Sequence, residues 1–229
     1  MGQTKHGRSA LGLVALLMAS LLAWPAIGLA QLGGLLPSPG SSTTTITGDA
    51  TAVRATVLGL LGTATTTTLA DTGTLSGVND ARDASMDTGT VPSVLTGEVL
   101  SAGTISWPDE VDSAVSLANL NMTVAGIGIT ADSVVAQASQ VAGAAGTGTA
   151  TIDNLLVNGT PIAITGAPNQ VVGIPGGQIV INEQTISSTG TAVVNALHVT
   201  VAGVADVVIA SATAGIAYGC AFTQNEEKQ

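Results

Sequence analysis

The sequence predicts an all-β sandwich of the jelly-roll or Greek-key type. Short runs rich in Val, Ile and Leu alternate with Thr and Ser, which is the period of a strand with one buried face. Gly, Pro and Asn separate these runs at short intervals, and no long run has the spacing of an amphipathic helix. The alternative is a β-solenoid, but the one internal repeat occurs twice, 77 residues apart, which is far longer than a solenoid coil.

The clearest strand signal lies in residues 191–216. Every second residue from 197 to 201 is Leu or Val, and a turn is predicted at Ala202-Gly203. The returning run at 207–209 is β-branched, and β-branched side chains favour a pleated backbone over a helix. This stretch therefore predicts a β-hairpin.

A similar stretch lies upstream at residues 120–138. With one gap at 128–130 it matches the downstream stretch at 10 of 16 aligned positions. We expect two equivalent hairpins in one β framework rather than a duplicated binding site.

Further strands are predicted along the chain, about ten in all, including residues 50–61, 65–68, 97–107, 152–164 and 178–186. Asn158-Gly159 predicts a two-residue hairpin turn, and Pro161 after it predicts an edge strand. Residues 71–90 are expected to form a long loop, with a short strand within it as the alternative. A single helical turn is expected at residues 110–117.

The first 30 residues have the three parts of a cleaved signal peptide. Lys5 and Arg8 precede an apolar run at residues 10–24, and the small residues Gly28 and Ala30 close it. Cleavage is therefore predicted after Ala30, with export from the cytoplasm as the consequence. An uncleaved membrane anchor is the alternative.

Three parts are predicted after the leader. Residues 31–46 mix Gly, Pro and Ser around Leu32, Leu35 and Leu36, which predicts a flexible arm. Residues 47–216 are expected to form one β-sandwich domain, because this length is ordinary for a single all-β unit. Residues 217–229 are expected to be a flexible tail.

The charge balance restricts the partners of the mature chain. After Ala30 there are fifteen acidic residues but three basic ones, so the net charge is −12. Nucleic acids and anionic membranes bind proteins through Lys and Arg, so both are disfavoured as partners. No second apolar span follows the leader, and we expect no membrane span in the mature chain.

Candidate chemical groups are few. Cys220 is the one cysteine, so no disulfide can form within the chain, and one Cys with one His after the leader cannot make a zinc site. His198 alternates with buried-type residues, which indicates an exposed strand position rather than a catalytic base. We expect no catalytic residue and no cofactor.

Acidic residues crowd two segments that could bind calcium. Calcium takes six to eight oxygen ligands, and exported proteins often supply them from loops. The spacing matches no known calcium motif, so solvated loops are the favoured interpretation. The candidates are Asp80, Asp83 and Asp87 in the first segment, and Asp109, Glu110 and Asp112 in the second.

Several stretches in order resemble one family. They are TLADTGTLSG (68–77), GEVLSAGTISWPDEV (97–111), SLANLNMTVAG (116–126), TGAPNQVVGIPGGQIVINEQ (165–184) and VNALHVTVAGVADVVIASATAGI (194–216). Together they are similar to the bacterial exported proteins of the choice-of-anchor P family. The resemblance implies a secreted domain that members attach to the surface through different C-terminal anchors, with no biochemical activity to carry over. This sequence ends in AYGCAFTQNEEKQ instead of an apolar anchor, so release is expected as readily as attachment.

These observations predict a secreted or cell-surface structural or adhesive domain that acts through protein contacts. Its expected partners are other surface or matrix proteins and further copies of the chain, because exposed strand edges and Thr-rich faces suit such contacts. The alternative is a polymerising filament or matrix subunit whose N-terminal arm adds as a strand to a neighbouring sheet.

Overall fold

The computed structural model describes residues 43–59 and 62–219, which form an all-β fold. The predicted signal peptide, residues 31–42 of the predicted arm and Cys220 lie outside the described residues. The strands are β1 (Thr43–Leu58), β2 (Ala64–Asp71), β3 (Ala81–Val91), β4 (Leu95–Ser106), β5 (Glu110–Val124), β6 (Ile127–Val141), β7 (Thr147–Asp153), β8 (Leu156–Val157), β9 (Thr160–Pro161), β10 (Gln170–Ile174), β11 (Gly177–Ile186), β12 (Ala192–Val201) and β13 (Ala205–Gly219).

Two antiparallel sheets pack face to face and confirm the predicted β-sandwich. Sheet A has the order β10-β11-β12-β13-β1-β2, and sheet B has the order β3-β4-β5-β6-β8-β9, with β7 also paired to β6. Most neighbours in each sheet are consecutive in the chain, and β1 beside β13 is the main long-range pair. The strand order is therefore a pair of meanders and not the crossing order of a jelly-roll.

Both predicted hairpins are confirmed, one in each sheet. β5–β6 turns at Ala125-Gly126, β12–β13 turns at residues 202–204, and the two hairpins contact each other across the core. The ladder places Ala131 opposite Leu120, whereas Ile209 lies opposite Leu197. The two hairpins thus occupy equivalent positions in their sheets. The sequence alignment matches Ala131 to Ala205, whereas the strand pairing matches Ala131 to Ile209, a difference of four residues.

The turn chemistry is confirmed at the Asn158-Gly159 hairpin. Both residues have positive φ, 49° and 77°, as a type I′ turn requires. Pro161 lies in β9, the last strand of sheet B, opposite Leu156. The next residue, Ile162, donates its N–H to the Leu155 carbonyl at 2.9 Å, so the Pro161 nitrogen faces the free edge and its missing N–H removes no ladder hydrogen bond.

Other predictions were wrong. Residues 81–90 of the expected loop belong to β3, which at 11 residues is longer than the short strand considered there. Residues 110–117 begin the long strand β5 instead of a helical turn. β1 begins at Thr43 and β13 ends at Gly219, because these two ends pair with each other. Residues 43–46 of the expected arm and residues 217–219 of the expected tail therefore belong to the pairing of β1 with β13.

The core between the sheets is built from aliphatic side chains, and polar groups link the two sheets at a few places. Gly148 leaves room for Val194 of the facing sheet, which a side chain at residue 148 would overlap. The Ser113 hydroxyl donates to the Thr213 carbonyl at 2.6 Å, and Gln140, 2% exposed, accepts a hydrogen bond from the Ile216 N–H at 2.8 Å. The buried side-chain polar atoms of the described residues all have hydrogen-bond partners, so these links cost no unpaired group.

The long strands change their inward face at one level. In β12, residues 192, 194 and 196 face the core, and from residue 197 onwards the inward residues are 197, 199 and 201. β13 changes at 209/210, β1 at 52/53 and β11 at 181/182, and these positions are neighbours in the ladder. We call this level the phase line.

Left-handed backbone marks the phase line in both sheets. A residue with positive φ in a strand turns the next peptide over, so that two successive side chains fall on the same face. Sheet A has Asn182, Ala210 and Ala70 in this conformation, and the register sets Ala196 and Ala52 between them. In sheet B the line is marked by Val99 in β4, Asn119 in β5 and Asn154, which separates β7 from β8.

Residue type follows from this geometry. Successive inward side chains crowd each other, so the sheet A positions other than Asn182 are alanines, with exposures from 0% to 7%. Asn tolerates positive φ better than most residues. Val99 is the exception, because it is β-branched, has φ 49° and is 61% exposed.

Val99→Asn should stabilise the protein by about 1 kcal/mol, because left-handed backbone costs a residue such as Val roughly 1–2 kcal/mol and Asn much less. For a domain of this size that corresponds to a rise in Tm of about 2–4 °C in a thermal scan.

Val171→Asn is the matched control, since Val171 is 59% exposed in β10 and is not among the residues with positive φ. It should leave Tm unchanged or lower it. Equal effects of the two substitutions would contradict the strain assigned to Val99.

Candidate interaction surface

Strand β2 presents an uncharged, exposed edge. It is the last strand of sheet A, and it is hydrogen-bonded to β1 on one side. Its residues 65–68 are four threonines, of which Thr65, Thr66 and Thr68 are exposed. Among the described strands none pairs with the other side of β2, and no charge or proline lies between Ala64 and Ala70, so this side is suited to adding another strand.

Other edge strands in the described part carry protection. β3 has Arg82, Asp83 and Asp87 along its length. β9 ends in Pro161, and β7 is bridged to sheet A by Gln184, whose amide donates to the Gly148 carbonyl at 3.0 Å. β10 is five residues long, and its Gln170 binds the backbone of the preceding loop at Ala163 and Thr165. Charge, proline, short length and covering loops are the usual devices that block edge pairing.

The β2 threonines alternate between two faces. Thr66 pairs with Thr56 of β1, and their hydroxyls lie 2.9 Å apart on the outer face of sheet A. Thr68 pairs with Arg54 on that same face, whereas Thr67 pairs with Ala55, which is buried. The edge is therefore lined with hydroxyl groups, and Arg54 lies beside Thr68 on the neighbouring strand.

A shallow groove lies at one end of the same outer face. Its volume is about 610 Å³, and its lining includes the turn at residues 202–204 together with Thr56, Gln178 and Thr200. The groove thus offers hydroxyl and carboxamide groups beside a backbone turn.

His198 lies on the outer face of sheet A between two carboxylates. Its Nδ1 is 2.9 Å from Glu183 Oε2, and its Nε2 is 3.1 Å from Asp206 Oδ1. The side chain is 20% exposed, so the expected outward position is correct but the side chain is half-buried. Asn195 also donates to Glu183, at 2.6 Å.

This arrangement holds three strands together and suits neither a triad nor a metal. The carboxylates lie at opposite nitrogens of the ring, so they cannot converge on one ion with the imidazole. A neutral imidazole has one N–H and can donate to one of the two acids, whereas the imidazolium can donate to both. Glu183 reaches the outer face because β11 changes phase at Asn182, and strict alternation from Ile179 and Ile181 would have turned it inward.

The calcium candidates do not converge. Asp83 and Asp87 are exposed along β3, and Asp80 accepts hydrogen bonds from Ser76 and pairs with Arg82 at 3.1 Å. Glu110 and Asp112 begin β5, and Asp109 lies in the turn before it. Within residues 43–59 and 62–219, no three His, Cys, Asp or Glu side chains form a group that could hold a metal ion.

Two of these carboxyls have shifted pKa values. The backbone N–H and hydroxyl of Ser76, with Arg82 beside them, lower the pKa of Asp80 to about 2. Burial raises the pKa of Glu110, and the neighbouring Asp112 and Asp109 add to this effect. Asp80 is thus stabilised as a carboxylate, whereas Glu110 is a carboxylate that the fold disfavours.

Comparison of the chain with known protein families, characterised proteins and solved structures finds no match. None of the described residues forms a helix long and apolar enough to cross a membrane.

Glu110→Gln should raise the midpoint of thermal unfolding at pH 7. The folded-state pKa of Glu110 lies above the unfolded value of 4.5, so its ionised form destabilises the fold. That penalty is absent below the pKa of Glu110 in the unfolded state. It is complete once the pH has risen through the pKa of Glu110 in the folded state. The gain from the substitution should therefore disappear when unfolding is measured near pH 3.

Asp83→Asn controls for the general effect of removing one negative charge, because Asp83 is exposed on β3. A gain at pH 7 that is no larger than the control's, or one that persists at low pH, would contradict the role of Glu110 burial.

Proposed function

We propose that this chain is an exported structural domain that acts outside the cytoplasm through contacts with other proteins. The single observation that supports it best is the open β2 edge. Most sheet edges in the described part carry charge, proline or a covering side chain, while β2 carries four threonines in a row. A strand edge left open is a surface that can add a strand from a partner.

The surroundings of this edge support protein contact over chemistry. Its side chains are hydroxyls and methyl groups, which pair well across strands but supply no activated nucleophile or base. His198, the group best suited to acid–base work, already has both nitrogens engaged by Glu183 and Asp206. The surface therefore suits binding through backbone hydrogen bonds.

Export is proposed from the leader and from the resemblance to the choice-of-anchor P family. The basic start, apolar run and small residues before Gln31 fit a cleaved signal peptide. The acidic mature composition suits a solvated extracellular domain.

The producing cells provide the test. Fractionation followed by mass spectrometry should find a chain beginning at Gln31 in the envelope or the medium. Ala30→Phe should block processing, because the residue before the cleaved bond must be small. Leu29→Phe is the control, since the position directly before Ala30 accepts any residue. A chain with its leader intact in the cytosol would refute the proposal.

A second candidate function is a polymerising subunit whose arm, residues 31–42, adds to β2 of a neighbour. The open edge favours it, since strand addition needs an acceptor. Leu32 and Leu36 would share the inward face of such a strand and Leu35 would face outward, while Pro37 and Pro39 limit the length of any strand there.

Deleting residues 31–42 separates the two functions. If the arm is the donor, assemblies seen by size-exclusion chromatography with light scattering should fall to monomers. Removing residues 220–229 instead should leave them intact. Assembly that survives the arm deletion rules out the arm as donor.

A further inference from the structure

We propose that β2 is a self-association strand, on which a second copy of the chain docks by antiparallel pairing of β2 with β2 about a two-fold axis at Thr67. This inference deepens the proposed function by naming the partner, and it rests on that function for its setting. The pairing would extend sheet A of one copy into sheet A of the other.

The geometry of a two-fold axis fixes which residues meet. Directly opposed residues in a sheet lie on the same face, so outer residues must oppose outer residues. Centring the axis on Thr67 sets Thr67 opposite itself and Thr66 opposite Thr68 of the second copy. These opposed side chains are all threonines, so the strand is complementary to itself, as an interface with two-fold symmetry requires.

Side chains near the axis fit this arrangement. Thr66 and Thr68 are exposed and uncharged, and cross-strand Thr pairs are favourable. Arg54 lies beside Thr68 on β1, one strand away from the new pair, so the two Arg54 residues do not oppose each other. Leu69, which is buried in the single chain, would lie opposite Thr65 on the inner face.

Charge favours a neutral strand as the contact between copies. Each mature chain carries a net charge of −12, so two copies repel each other wherever acidic surfaces meet. The edge strand β3 carries Asp83 and Asp87 on its exposed face, and pairing there would set like charges together. β2 has no charge between Ala64 and Ala70, so two copies can approach along it at a low electrostatic cost.

Salt dependence distinguishes a second copy from a basic partner. Screening weakens the repulsion between two acidic chains, so self-association should strengthen as ionic strength rises. A basic protein attracted to Asp83 and Asp87 would bind more weakly under the same change.

The experiment is sedimentation equilibrium on the purified exported chain and two double variants. Thr66→Lys/Thr68→Lys sets like charges opposite each other at two symmetric places, and it should weaken the dimer at least roughly tenfold. Thr66→Lys/Thr68→Glu sets opposite charges at the same places and should restore the affinity to within about threefold of the parent. Hydrogen exchange at residues 64–69 should slow as the parent dimerises.

Thr90→Lys on the exposed face of edge strand β3 is the matched control and should leave the dimer intact. Both double variants change exposed side chains, and an unchanged Tm at low concentration verifies that the monomer still folds. A monomeric parent, a Lys/Lys variant that dimerises like the parent, or a Lys/Glu variant as weak as Lys/Lys would overturn the proposal. Sedimentation and cell fractionation are independent measurements. The proposal of self-association through β2 can therefore be refuted without refuting the proposal of export, and the reverse also holds.

Discussion

The phase line is the constraint on which the rest of the structure depends. A strand with strict alternation keeps one set of residues inward along its whole length, and these strands do not. Each strand switches from one set of inward residues to the other at the same level. Paired residues of neighbouring strands in sheet A therefore still face the same side, and the register is kept. If one strand failed to change, its apolar residues would face outward beyond that point. The conformation at Asn182, Ala210 and Ala70 is therefore required of the sheet as a whole.

Small side chains make this constraint tolerable. Where two successive residues face inward, a large side chain would collide with its neighbour or with the facing sheet. The alanines on the line avoid the collision, and Gly148 allows a close approach on the opposite sheet. Close sheets in turn allow short polar side chains to bridge them, as Ser113 does to the Thr213 carbonyl. The low aromatic content of the sequence thus has a structural cause.

Local signals predicted the hairpins and turns, because their causes lie within a few residues. Asn158-Gly159 and the alternation at 197–201 needed no distant information. The length of β3 was missed because its Asp, Ser, Thr and Gly resemble a loop. The start of β5 was misread because Asp109, Glu110 and Asp112 resemble the acidic first turn of a helix. The His198 cluster could not be predicted, because Glu183 is fifteen residues away and reaches it only through the register and the change of phase at Asn182.

The open edge of β2 is related to the small number of basic residues in the chain. The one lysine after the leader, Lys228, lies outside the described strands, and Arg82, Asp83 and Asp87 are the charges along edge strand β3. Acidic protection at β2 would have been equally available, since single Thr to Asp changes on an exposed strand cost little in the monomer. A repelling charge at β2 would interfere with the proposed pairing, and β2 carries none between Ala64 and Ala70. The neutral threonine run therefore supports the proposed role of β2 as a docking strand.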